Sequence, residues 1–299
     1  MKFMNFSRGD DSSVRLGCEL GQHCLDVTGA ITAGHIRFNE VSSIEEALRI
    51  EGGIGVLEKQ LHGLTSELSG LGTDLLLPAS DLRLRQPVFH PEKIIGIGLN
   101  YHDHADEVAM TKPEQPLLFA MFANTIIGPD ESIIIPEMSD QIDFEAEMGV
   151  VIGRRGRHIP VEEAIEHVAG YTIVNDVSAR DLQFSDNQWI RGKSFDTFAP
   201  IGPCLATTSD LGDGDGLRIS LRLNGETMQD SNTSNLIFKV AELVSYTSRV
   251  LTLEPGDVIA TGTPAGVGFT RKPPVFMKPG DVVEIDLEGV GTLRNLVSR

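Results

Sequence analysis

From about residue 82 onward, short β-branched runs separated by glycine and proline set the pattern of the chain. They include "KIIGIGLN", "SIIIP", "AEMGVVIG", "YTIVNDV", "LRISLRLNG", "GDVIATG" and "GDVVEIDLEG". Runs of this kind, bounded by turn residues, predict strands. They do not alternate regularly with helices, so the pattern predicts a β-rich α+β domain and not a βαβ succession. Two helices are expected within it. One is opened by Pro160, carries Glu162 and Glu163 in its first turn and ends before Gly170. The other covers "IFKVAELVSYTSRV".

Residues 1–80 read differently. "SVRLGCEL" and "HCLDVT" predict two short strands around Gly21–Gln22. Ser43 and Glu46 form a capping-box pattern, Ile44, Ala47 and Leu48 follow at helical spacing, and "IGVLEKQLHGL" predicts a second helix after Gly52–Gly53. The segment "LPASDLRLRQPVFHPEK", with three prolines, marks the junction. A small N-terminal domain (1–80) and a second domain (81–299) are therefore expected.

One strand pattern is chemically unusual. In "DFEAEMGVVIG", Asp143, Glu145 and Glu147 occupy alternate positions, which share one face of a strand. Val150, Val151 and Ile152 follow directly and suit a strand buried on both faces. Buried carboxylates are costly unless paired or bound to metal. The pattern leaves two readings, a solvated acidic face or a site for a hard cation such as Mg²⁺, Mn²⁺ or Ca²⁺.

Charge narrows the choice of partner. The 299 residues carry 25 basic and 43 acidic side chains, net −18. Such a surface repels phosphate backbones and anionic lipids, so neither nucleic acid nor a membrane surface is an expected partner. The N-terminal "MKFMNFSRGDD" lacks the apolar region of a secretory leader, and the longest apolar runs are too short to span a bilayer. Cys18, Cys24 and Cys204 form no C-x-x-C pair, and their odd number argues against a disulfide framework. Reduced, buried thiols in a cytoplasmic protein are expected.

Four further segments carry polar groups in suggestive places. In "TIVNDVSARDLQ", Asp176 ends an apolar strand pattern, followed by Arg180 and Gln183. In "GLNYHDHADEV", His104 and Glu107 are three apart, hence neighbours if the segment is helical, and such a pair can activate water. The H-D-H triplet with His102 lacks the spacing of a zinc protease. "GIGLNY" and "TGTPAGVG" lack the residues that complete a dinucleotide fingerprint or a P-loop. The second reads either as a tight turn or as a loop offering Thr263 and backbone N–H groups to an anion. "WIRGKSFDTFAP" brings Arg191 and Lys193 beside Trp189, as a surface turn or as a clamp for a substrate carboxylate.

In this order, "GLNYHDHADE", "DFEAEMGVVIG", "GYTIVNDVSARDLQ", "RGKSFDTFAPIGP" and "IATGTPAGVG" resemble the fumarylacetoacetate hydrolase family over residues 82–299, and residues 1–80 resemble the short N-terminal domain of its bacterial members. The resemblance implies a mixed β-sandwich roll, a homodimer and a divalent site for Mg²⁺ or Mn²⁺. It assigns Glu145, Glu147 and Asp176 as ligands, His104 and Glu107 as a catalytic dyad and Lys193 as the active-site lysine. It assigns Gln183 and Thr263 to substrate contact and turns Arg180 toward the site. Asp143 is left as a neighbour or surface group. Met121 stands where relatives often carry lysine, removing a positive charge near the site, and Ala199 replaces a frequent cysteine.

The implied chemistry is metal-dependent cleavage of a C–C bond in a small anionic 2-oxo acid such as an acylpyruvate or fumarylpyruvate. Three carboxylates, a divalent ion and Lys193 come to a charge near zero, so an anionic substrate is able to approach. Charge developing at the 2-oxo group is stabilised where it forms. Rival reactions in the same site are oxaloacetate decarboxylation, which needs no attacking water, 2-hydroxy-dienoate isomerisation, and dehydration of sugar-derived acids. A non-catalytic binder of metal and 2-oxo acids is the rival from another class.

Overall fold

The apolar runs pair into one long sheet in the computed structural model, which describes residues 1–9, 11–64, 74–186 and 188–299. From one edge its order is Leu76–Pro78, His23–Asp26, Asp11–Leu20, Lys2–Arg8, Ala199–Thr207, Val168–Asn175, Ala146–Ile152, Val258–Ala260, Ile94–Gly98 and Leu117–Met121. The neighbours are antiparallel except Val258–Ala260 and Ile94–Gly98, which run parallel. A second sheet is ordered Glu226–Asn232, Arg218–Leu223, Val282–Leu287, Gly291–Ser298 and Ser132–Ile134. The architecture is α+β and β-rich.

The central strand explains the layering. All seven residues of Ala146–Ile152 are buried. Met148, Val150 and Ile152 face a core shared with the second sheet, where Ile219, Leu221, Ile285 and Leu293 meet them. Val151 faces the opposite core, filled by Phe3, Leu16, Ile44 and Leu57. Packing on both faces is what an uninterrupted apolar strand requires. Lys2 and Phe3 pair with Ala206 and Leu205, so the first strand of the chain belongs to the same sheet as the central strands.

Several expectations are met locally. Ser43 caps the helix Ile44–Leu48 by accepting from Glu46 N, and Gly53–Leu64 forms the next helix. Others are corrected. Residues 161–167 form a 3-10 helix, and Gly170 lies inside the strand Val168–Asn175. A Cβ at Gly170 would stand 2.1 Å from the Ala206 carbonyl oxygen, so this glycine permits strand contact and does not stop a helix. The proline-rich junction holds two short strands, Leu76–Pro78 and Leu82–Arg85; the latter pairs with Lys2–Arg8. Among the described residues no helix is long and apolar enough to cross a membrane.

Cys18, Cys24 and Cys204 are buried and unbridged, and burial pushes each thiol up to about 12 from an ordinary 9.0. Their pKa is raised by folding, so the stability they contribute is present below pH 9 and is lost as pH rises toward 12. The urea midpoint should fall between pH 9 and 11. Native protein at pH 8 should resist a thiol reagent that titrates three equivalents after denaturation. Rapid native labelling of all three would contradict the burial described here.

Candidate active site

The acidic row begins where the central strand leaves the core. Glu147 lies near the start of Ala146–Ile152 on the face that also carries Val151, and Glu145 immediately precedes the strand. Its neighbour Val168–Asn175 ends beside them, delivering Asp176, whose N–H donates to Glu145 O at 3.0 Å. Oxygens of Glu145, Glu147 and Asp176 lie within 4.8 Å of one another. All three side chains are buried.

Burial works against each of these charges. At Glu145 the positive charges of Lys193 and Arg180 outweigh it and hold the carboxyl down at about 2. At Glu147 burial, reinforced by Asp176 and Glu145, raises the carboxyl well above its usual range. Asp176 is pushed up to about 7 by burial, against the pull of Lys193. Asp176 Oδ1 is buried and has no hydrogen-bond partner. Three crowded carboxylates with an orphaned oxygen fit a hard divalent cation.

Lys193 ends the short helix Ile190–Lys193 and is 2% exposed. Its Nζ donates to Glu145 Oε2 at 3.1 Å, to Ser178 Oγ at 2.9 Å and to Asp176. Arg191, the other cation of that segment, is half exposed and pairs with Asp186. Arg180 and Gln183 share one face of the helix Arg180–Ser185. The guanidinium bonds Asp143 through Nε at 2.8 Å, Glu145 through Nη1 at 2.7 Å and Gln183 Oε1 at 2.9 Å.

Asp143 is therefore no surface group. It is fully buried and accepts from Arg180, Gly268 N and Phe269 N. The alternation that placed it with Glu145 and Glu147 is broken, because Ile142–Asp143 is a separate short strand paired with Ser178–Ala179.

His104 and Glu107 lie one turn apart on the helix His102–Glu107. His104 Nδ1 is 3.0 Å from Glu107 Oε2. A carboxylate acceptor places the neutral ring's proton on Nδ1 and leaves Nε2 free as a base. The other oxygen of Glu107 accepts from Gly266 N at 3.0 Å and Thr270 Oγ1 at 2.8 Å. These bonds, with His104, hold the Glu107 carboxyl below its ordinary value despite partial burial.

The anions that the glycine loop serves are the protein's own. Gly262 N donates to Glu147 at 2.9 Å, Gly266 N to Glu107, and Gly268 N to Asp143 at 2.7 Å. Gly262 and Gly266 hold φ of +98° and +104°, which side chains rarely adopt. Thr263 is fixed by donating to Ala146 O and accepting from Gln229. Thr270 and Ser178 are polar groups that sequence reasoning missed, because their roles depend on contacts distant in sequence.

Eight of the nine expected site residues line one cavity of about 240 Å³, and Glu107 stands behind His104. His102 is exposed and outside it. Met121 is buried in the apolar core and does not line the cavity, so its replacement of lysine leaves the described walls unchanged. Gly96 and Gly98 serve packing: a Cβ there would stand 2.1 Å from the Phe119 ring and 2.3 Å from the Trp189 ring. A larger cleft of about 870 Å³, between Gly52–Ile54 and Gly153–Arg155, contains none of the expected residues.

Known proteins resemble the chain over most of its length. The chain is 40% identical to the mitochondrial oxaloacetate tautomerase fahd2 of Xenopus laevis, over 99% of this chain and 90% of that protein. It is 47% identical to the mitochondrial oxaloacetate tautomerase FAHD2A of Bos taurus, over 76% of this chain and 73% of the relative. Among solved structures, a fumarylacetoacetate hydrolase from psychrophilic Exiguobacterium antarcticum superposes with a TM-score of 0.82 at 35% identity, covering 100% of this chain and 99% of that one. A maleylpyruvate hydrolase from Sphingobium sp. SYK-6, in complex with manganese (II) ion and pyruvate, superposes at 0.78 with 28% identity, covering 100% and 99%. The family described as Fumarylacetoacetate (FAA) hydrolase C-terminal matches residues 93–298, and the chain belongs to that family of enzymes.

Proposed function

We propose that this chain is a divalent-cation-dependent enzyme that interconverts the keto and enol forms of a small anionic 2-oxo acid. The observation that carries the reading is one cavity that joins the Glu145–Glu147–Asp176 cluster to Lys193 and to His104, with Glu107 behind it. A bound Mg²⁺ or Mn²⁺ would supply stabilisation of negative charge at the 2-oxo oxygen. His104 Nε2 takes a proton from C3 and returns one to that oxygen, while Glu107 steadies the ring as it becomes positive. Lys193 and Gln183 orient the acid, and Thr263 bounds the cavity beside Glu147. The name of the Xenopus and bovine relatives supports proton transfer as the reaction.

A second reading is C–C hydrolysis of an acylpyruvate, in which the same base takes its proton from water. The named activity of the Sphingobium neighbour favours it. Simple decarboxylation and passive binding leave the dyad without a task. The test is deuterium exchange at C3 of 2-oxo acids, followed by NMR. We expect exchange with Mn²⁺ or Mg²⁺, its loss in EDTA, and a fall of about 10²-fold or more in His104→Gln with the cation-induced rise in Tm retained. Undiminished exchange in EDTA would sink the proposal.

A further inference from the structure

Much of the cavity's lining is apolar. Two aromatic pairs line it: Phe119 with Trp189, centroids 5.6 Å apart, and Phe184 with Phe269, 5.4 Å apart. The first pair abuts Gly96 and Gly98, where any side chain would displace it. Leu99 completes that wall at φ +52°, a left-handed conformation in which glycine or asparagine is far cheaper. Met110, at the rim, is 54% exposed. An apolar side chain held in a costly backbone conformation, beside rings seated on obligatory glycines, marks a surface kept for contact.

Charge leads to the same end. Lys193 and Arg180 are the lysine and arginine lining the cavity among the described residues, and both are committed to carboxylates of the protein. Arg180 Nη2 lacks a partner, but it is buried, and the Phe269 ring lies 4.5 Å from the guanidinium carbon. With a divalent ion in place, the three acids and Lys193 would come to a charge near zero, so one substrate carboxylate already leaves the site net negative. Lys193 Nζ lies 5.1 Å from the Phe119 ring, so a second carboxylate would meet aromatic rings and two cations already paired with carboxylates of the protein.

We infer that the substrate's distal group, beyond C3, is uncharged and apolar, an aryl or branched alkyl group, and that the cavity discriminates against dicarboxylates. The inference rests on the 2-oxo acid reading above and departs from the oxaloacetate named for the relatives.

The experiment compares 2,4-dioxo-4-phenylbutanoate with oxaloacetate on the Mn²⁺-loaded protein. It reads kcat/KM for enol–keto conversion and also the emission of Trp189, the single tryptophan, on titration with N-phenyloxamate or oxalate. We expect kcat/KM at least about ten-fold higher for the aryl acid, a shift of Trp189 emission with N-phenyloxamate that oxalate does not produce, and a narrowed or reversed preference in Met110→Arg. Oxaloacetate used as well as the aryl acid, or identical Trp189 responses to both analogues, overturns this inference and leaves the functional reading standing. A selective Trp189 response with no turnover of either acid supports the apolar subsite and overturns the functional reading alone. No response and no turnover overturns both.

Discussion

Replacing Glu147 with glutamine is expected to abolish divalent-cation binding while leaving the cation-free protein at least as stable as the parent. The side chain is 1% exposed, and its oxygens lie within 4.8 Å of those of Glu145 and Asp176. Mutual repulsion and burial already hold it toward the neutral acid, which an amide imitates in shape. The amide oxygen is able to keep the bond from Gly262 N. What is lost is a negative ligand when the cation arrives. Turnover should fall by about 10³-fold or more, a size typical of removing one preorganised electrostatic contact. The stabilisation that Mn²⁺ gives the parent, about 2.7 kcal/mol at a hundred times Kd, should vanish, and with it the rise in Tm. A Glu147→Gln protein that still gains stability from Mn²⁺ would show that the cluster is not the cation site.

The second large effect is structural. Asp143→Ala should destabilise the fold by about 3–5 kcal/mol, because it leaves the buried Arg180 guanidinium short of a partner. Gly268 N and Phe269 N lose their acceptors in the same step. Asp143→Asn keeps an acceptor but not the charge, so its cost should lie between zero and that of alanine. Urea unfolding measures both. A loss under 1 kcal/mol for alanine would mean that Arg180 re-pairs without Asp143. Activity should fall as well, since Arg180 also bonds Glu145 and Gln183.

The acidic cluster was legible because its signals are local: alternation placed Glu145 and Glu147 together, and an apolar strand ending in Asp176 placed a third acid at a strand end. His104 and Glu107 were legible because helical spacing brings residues three apart into contact. The motif resemblance added what spacing leaves open, namely that these segments converge. Asp143 was misplaced because alternation carries no information about where a strand breaks, and the break is set by pairing with Ser178–Ala179. The glycine loop stays open between a tight turn and a cradle for an anion in sequence, because nothing local reveals that Glu147, Glu107 and Asp143 supply the charge. The aromatic wall was illegible for a related reason: Phe119 and Trp189 are 70 residues apart, and only the sheet seats both against one strand. Gly170 shows the limit of punctuation, since a glycine required for close strand contact looks in sequence like one that ends a helix.

The loop from Gly262 to Gly268 holds its three acids through main-chain N–H groups, which every residue except proline provides. With Gly262 and Gly266 at positive φ and no room for a Cβ at Gly266 or Gly268, both its length and its glycines matter to inheritance. One inserted or deleted residue would slide each donor past its acid and uncouple the cation cluster from the histidine pair, while the aromatic wall stayed as it was. Lineages of this chain should accordingly change the acid they process by exchanging residues around Phe119 and Trp189, and should carry the spacing between Gly262 and Gly268 unaltered from one specificity to the next.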